Sequence, residues 1–167
     1  MRYHILATDY DGTLATDGRV DEATLARLDH VRQSGRKLVL VTGREVEDLK
    51  RVFPRLEAFD LIIAENGAVL YDPHRHEEQV LAEPPPEAFV NALRERGVPV
   101  ATGRVIVATW EPHETTVLEV IREQALELQV IFNKGAVMVL PSGINKATGL
   151  QAGLLRLGLS PRNCVGV

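Results

Sequence analysis

Tyr3-His4-Ile5-Leu6-Ala7-Thr8-Asp9-Tyr10-Asp11-Gly12-Thr13 is the stretch that decides the fold. It alternates at first and then turns apolar, the pattern of a strand buried inside a sheet, and it stops at two aspartates and a glycine. A strand of that kind hands both carboxylates to the loop at its carboxyl end. An Asp-Gly turn with incidental acidic neighbours reads the same way, because these residues favour turns wherever they occur. The segments that follow decide between the two.

Asp21 can cap a helix in which Leu25, Leu28 and Val31 recur at helical spacing up to Ser34, and Gly35 stands where a left-handed residue closes it. Lys37-Leu38-Val39-Leu40-Val41 is a second apolar strand, ending at Thr42-Gly43-Arg44. Val46, Leu49, Val52 and Phe53 then mark one face of a second helix. Leu61-Ile62-Ile63-Ala64 is a third strand, ending at Glu65-Asn66. Apolar strands alternating with amphipathic helices predict an α/β fold, a doubly wound parallel sheet covered on both faces. Such sheets place their sites beyond the carboxyl ends of the strands, and Asp9, Thr42 and Glu65 all fall there.

From about Val69 the rhythm changes. Ala68 to Pro73 reads as a short strand running into a turn, and the stretch to Pro84-Pro85-Pro86 is polar and irregular. Pro86 suits the first turn of a helix bearing Phe89, Val90 and Leu93 and closing at Gly97, and Val105 to Trp110 reads as a strand. Val117, Val120, Ile121 and Leu128 give another helical face. Gln129 to Phe132 and Ala136 to Leu140 form two strands about a Lys134-Gly135 turn. These elements predict a small α+β insert over 72–135, with a core built from 1–71 and 136–167. After Ser142-Gly143 the first rhythm resumes with a helix bearing Leu150, Leu154 and Leu157, a stop at Gly158 and the apolar run Cys164 to Val167.

Composition narrows the function. The 167 residues fit one domain with an insertion, and 45% hydrophobic with 25% charged residues is ordinary globular usage. With 19 basic against 23 acidic residues the formal charge is −4, and the basic residues are scattered, which argues against nucleic acid and against an anionic membrane surface. A single cysteine cannot close an intrachain disulfide, and no run is long and apolar enough for a signal peptide or a membrane span. A cytoplasmic location is expected.

Two carboxylates two residues apart after a buried strand can bind a hard divalent cation and still leave an oxygen free to attack, while Gly12 lets the backbone turn. Thr42 offers a hydroxyl and Gly43 an unobstructed backbone N–H at the next strand end, a pair able to hold a phosphoryl oxygen, though Thr42 could equally cap a helix. Lys146 opens a helix, where the dipole disfavours a cation, so it answers an anion or the Asp9 pair, or else is a solvated surface lysine. Other candidates are weaker. His74 and His76 lack acidic or cysteine partners at metal-ligand spacing, His113-Glu114 lacks the second histidine of a zinc-protease helix, and neither nucleotide-binding glycine motif occurs.

An Asp-x-Asp-Gly-Thr loop after the first strand, an apolar strand ending in Thr-Gly-Arg, and Asn145-Lys146 at a later helix start together resemble the haloacid dehalogenase-like (HAD) phosphohydrolases over nearly the whole chain. Glu65-Asn66-Gly67-Ala68 before an α+β insert is similar to the Cof-type subclass, which includes sugar-phosphate and phosphoglycolate phosphatases. The resemblance implies a Rossmann-like core with an inserted cap and hydrolysis of a small phosphorylated metabolite. It makes Asp9 the nucleophile that becomes an aspartyl phosphate and Asp11 the general acid and base. Thr42, Gly43 and Lys146 would bind the phosphoryl group, with Lys146 also restraining Asp9, and Arg44 and Asn66 would meet the substrate. Mg²⁺ would be held by the Asp9 side chain and the Asp11 backbone carbonyl. The family's further acidic motif is expected after Val165-Gly166-Val167, so the sequence is read as a fragment of a longer protein, the alternative being a short form with weakened metal binding. Self-association through the cap or the sheet edge at Val165–Val167 is a further expectation. The competing function is a phosphate-binding or regulatory domain that turns nothing over.

Overall fold

The computed structural model describes residues 3–167. The chain divides into two compact units, one formed up to Leu81 and again by Asn145–Val167, the other by Ala82–Ile144.

The first unit runs through β1 (Ile5–Asp9), α1 (Glu22–Gln33), β2 (Lys37–Val41), α2 (Val46–Val52), β3 (Leu61–Ala64), β4 (Val69–Asp72) and β5 (Glu77–Val80). The second contains α3 (Glu87–Glu95), β6 (Ala101–Thr102), β7 (Val107–Trp110), α4 (Glu114–Glu123), β8 (Leu128–Asn133) and β9 (Ala136–Pro141). The chain then re-enters the first unit with α5 (Lys146–Arg156) and β10 (Cys164–Gly166).

In the first unit the sheet order is β10-β1-β2-β3-β4-β5. The four strands from β10 to β3 are parallel, and β4 and β5 extend the sheet antiparallel. The apolar strands β2 and β3 lie at the centre of this sheet because each buries both of its faces. Ile5, Ala7, Val39, Val41, Leu61 and Ile63 pack with Leu154 of α5, while their strand neighbours Leu38, Leu40 and Ile62, also buried, project to the other face by the pleat. Asp21 caps α1, its carboxylate accepting from the Thr24 amide at 2.6 Å.

Glycine seats α5. A Cβ on Gly149 would lie 2.4 Å from the Gly67 Cα, and one on Gly67, whose φ is +105°, would lie 2.0 Å from the Asn145 carbonyl oxygen. Helix and turn therefore meet backbone to backbone, an approach only glycine permits. The first residue after the turn, Ala68, also accepts from the Leu81 amide at 2.9 Å. The chain thus leaves the first unit and returns to it beside two neighbouring residues, Gly67 and Ala68.

The second unit is an antiparallel sheet of order β6-β7-β9-β8 carrying α3 and α4. Phe89, Val90 and Leu93 of α3 and Val117 and Val120 of α4 share one apolar core with Val107, Val137 and Val139 of the sheet. Lys134 and Gly135 are both left-handed, at φ 49° and 83°, which is the tight turn that matches hairpin twist.

Two sequence expectations need correction. The insert spans 82–144 rather than 72–135. The polar run at Glu77 forms β5, an edge strand paired with β4 and mostly exposed, so it carries no apolar signature. Ala136–Pro141 pairs with β7 and β8, not with the first sheet. Leu128 belongs to β8 and not to the preceding helix, which ends at Glu123.

Candidate active site

Asp9 is the last residue of β1, in register with Val41 of β2. Its Oδ1 accepts from the Lys146 ammonium at 3.0 Å and from the Tyr10 amide at 2.9 Å. Among the described residues no hydrogen bond is made to its Oδ2. Lys146 reaches it because Asn145 caps α5, accepting from the Ala147 and Thr148 amides at 2.9 and 3.0 Å while its own amide donates to the Thr148 hydroxyl. This reciprocal cap fixes the first turn of a helix already seated by Gly149. The lysine stands at the unfavourable end of the helix dipole, and the Asp9 carboxylate is its counterion.

Asp11 is held differently. The Arg44 guanidinium grips it with two parallel bonds, Nε to Oδ2 and Nη2 to Oδ1, both 2.8 Å. Its remaining edge is held by Asp48, Nη1 to Oδ2 at 2.6 Å, and Asp48 also accepts from Arg51 at 2.9 Å. The guanidinium lies 5.4 Å from the centroid of the Tyr10 ring. That ring is fully buried, meets Phe53 edge-on at 6.0 Å, and donates its hydroxyl to the Gly18 carbonyl at 3.0 Å. The Asp11 hydrogen bonds hold the Arg44 pKa above its ordinary value. Burial pushes the Tyr10 phenol up against the opposing pull of Arg44.

Thr42 is wholly buried. Its hydroxyl oxygen accepts from the Arg44 amide at 3.1 Å, a turn local to the loop, so it does not cap α2, whose N-cap is Glu45. The end of β3 is tied to this loop: Glu65 donates its amide to the Arg44 carbonyl and Asn66 to the Thr42 carbonyl, both at 3.0 Å. Glu65 and Asn66 take positive φ values of 49° and 54° to do so, conformations that cost about 1–3 kcal/mol each and persist where the surroundings enforce them. Both side chains are buried, and a Cβ on Gly43 would come within 3.1 Å of the Asn66 amide oxygen. Burial, Glu65 and Asp48, in that order, raise the pKa of Glu45 beside them.

The structure therefore brings Asp9, Asp11, Thr42, Gly43, Arg44, Asn66 and Lys146 to the carboxyl ends of β1 to β3 and the start of α5. Arg44, read from sequence as a contact for substrate, is occupied by Asp11 and Asp48. Asp48 and Tyr10 complete this cluster; the spacing of four between Arg44 and Asp48 at the start of a helix is a legible ion-pair signal, whereas nothing local marks Tyr10. The donor set for a cation is the Asp9 carboxylate and a neighbouring loop carbonyl. Mg²⁺ takes such hard oxygens from one or two carboxylates and completes its shell with water and phosphate, so these residues suit its chemistry. No group of three or more His, Cys, Asp or Glu side chains able to hold a metal occurs among the described residues.

Residues 6–104 match the family model described as haloacid dehalogenase-like hydrolase. A haloacid dehalogenase-like hydrolase from Bacteroides thetaiotaomicron superposes with a TM-score of 0.77 at 15% identity, covering 98% of this chain and 80% of that one. A HAD subclass IIB sugar phosphatase does so at 0.74 and 17%, covering 97% and 79%. A phosphatase of the haloalkanoate enzyme superfamily from Bacteroides thetaiotaomicron gives 0.72 and 20%, covering 98% and 76%. No helix among the described residues is long and apolar enough to cross a membrane.

Proposed function

Since the chain belongs to the haloacid dehalogenase-like hydrolases, we propose that it is a Mg²⁺-dependent phosphomonoester hydrolase of a small phosphorylated metabolite, of sugar-phosphate or phosphoglycolate type. The observation that carries this reading is the Asp9 carboxylate, with one oxygen held by Lys146 and the Tyr10 amide and the other uncommitted. A carboxylate oxygen so placed can attack phosphorus, while the lysine neutralises phosphoryl charge and keeps the nucleophile in line. Likeness to structures whose own descriptions name phosphatases supports the same reaction class.

In the first half-reaction an Asp9 oxygen bonds to phosphorus, the ester P–O bond breaks, and Asp11 gives the departing oxygen its proton. In the second, water attacks phosphorus and Asp11 takes the water's proton. The Asp9–P bond then breaks, releasing inorganic phosphate. Thr42 and the Gly43 amide bind phosphoryl oxygens, with Asn66 beside them. The Asp9 side chain and the Asp11 carbonyl would hold Mg²⁺, which would neutralise charge on the transferring group. The reaction belongs in the cytoplasm, with neither nucleic acid nor membrane as a partner. A phosphate-binding domain without turnover is the second reading, favoured by the commitment of both Asp11 oxygens to Arg44.

Release of phosphate from phenyl phosphate, measured with Mg²⁺ and with chelator, tests the proposal. Turnover that requires Mg²⁺ and vanishes in Asp9→Asn is the expected result. Turnover by Asp9→Asn at the parent rate overturns the assignment, and phosphate binding without any turnover selects the second reading.

A further inference from the structure

Asp48 lies outside the set that would touch substrate, yet it shares a guanidinium with Asp11. Arg44 has two usable edges, and the structure fills both: the Nε/Nη2 edge with Asp11, the Nη1 side with Asp48. The Arg44 and Asp48 side chains are only 26% and 33% exposed, so the pair is better shielded than the solvent-washed ion pairs that contribute almost nothing. Beneath the guanidinium the Tyr10 ring is immobilised by Phe53 and by its bond to Gly18, which gives Arg44 a fixed floor.

A group that donates and accepts a proton in successive steps must have an oxygen to offer. Both Asp11 oxygens are engaged by a two-pronged guanidinium contact, which orients the carboxylate toward Arg44 and stabilises its charge. For Asp11 to act, the grip must loosen while Arg44 stays behind. A second carboxylate on the same guanidinium does both: it shares the positive charge that holds Asp11, and it anchors Arg44 to α2. From this geometry we infer that Asp48 is a positioning residue that acts on Asp11 through Arg44, keeping the Asp11 carboxylate aligned but releasable. The inference rests on the reading of Asp11 as the proton donor and acceptor.

Removing Asp48 leaves the whole guanidinium to Asp11 and tightens the grip. Asp48→Asn is therefore expected to lower kcat for phenyl phosphate about tenfold while KM stays within about twofold, since the lost step follows binding. Asp48→Glu, which keeps the charge, restores most of the rate. The decisive comparison repeats Asp48→Asn in an Arg44→Met background, where the inference requires it to be silent. An equal loss in both backgrounds would mean that Asp48 merely supports α2, and no loss in either overturns the inference. Lys50→Ala, which breaks an exposed pair with Glu47 on the same helix, reports the general cost of disturbing α2.

A second measurement needs no turnover. Exchange of the Arg44 Nε proton, followed by nitrogen-15 NMR, should slow in Asp48→Asn because its bond to Asp11 strengthens, and unchanged or faster exchange refutes the coupling. If Asp9→Asn proves as active as the parent, the phosphatase reading fails instead, and the exchange rate alone decides the role of Asp48.

Discussion

Asp9 and Asp11 stand two residues apart on one loop and meet opposite kinds of cation. Lys146 brings a compact charge to one oxygen of Asp9 and leaves the other uncommitted. Arg44 brings a planar fork and takes both oxygens of Asp11. The supports differ as well. Lys146 is carried by a helix locked backbone to backbone against a turn, whereas Arg44 sits in a loop and is steadied by Asp48 and an aromatic ring. The lesson is that one loop can leave an oxygen of one carboxylate uncommitted and engage both oxygens of the other, through the choice of lysine or arginine opposite each.

Exchanging the cation is the strongest way to break this contrast. Lys146→Arg retains charge but offers Asp9 a fork in place of a point, so the second oxygen is drawn away from attack. Turnover of phenyl phosphate should fall on the order of 10²-fold with folding intact, as judged by circular dichroism. A rate near the parent's would show that charge alone matters opposite Asp9. A smaller effect is expected from Gly149→Ala, which forces a methyl group toward the Gly67 backbone. It should destabilise the protein by about 1–3 kcal/mol in denaturant unfolding and loosen the helix that presents Lys146, leaving the Arg44 side of the site unchanged. Equal perturbation of Arg44 and Lys146 resonances would erase the distinction between their supports.

The smallest effect concerns the acid-rich flank of Arg44. The Glu45 carboxyl titrates above its ordinary value because burial, then Glu65 and Asp48, disfavour its charge. The folded state thus binds this proton more tightly than the unfolded chain, so stability is favoured at acid pH and declines as pH rises through the raised value. Glu45→Gln lacks that decline. It should be more stable than the parent at neutral pH, with the gain disappearing as pH falls below about 4.3, the ordinary glutamate value. A gain that persisted at acid pH would point to packing instead of charge.

Much of this was legible in the letters. β1 to β3 and α1 declare themselves by apolar runs and helical spacing, and a lysine at a helix start asks for the anion it finds in Asp9. What stayed hidden has physical causes. β5 is an edge strand whose side chains face water, so Glu77-Glu78-Gln79 looks like a loop until β4 is there to pair with it. β9 could serve either sheet by composition, and its hydrogen-bonding partners decide. The grip of Arg44 on Asp11 depends on side-chain direction across 33 residues, which no local pattern encodes. Gly149 reads as a helix weakness until the Gly67 backbone is seen against it.

Both ends of the excursion are moored at neighbouring residues: Leu81 bonds to Ala68, and Asn145 lies against Gly67. An insertion whose two ends meet places almost no constraint on what lies between them, because the host closes around the junction without it. Ala82–Ile144 is therefore a cassette in the evolutionary sense. It can be lengthened, shortened or replaced while the strands that carry Asp9 and the helix that carries Lys146 keep their places.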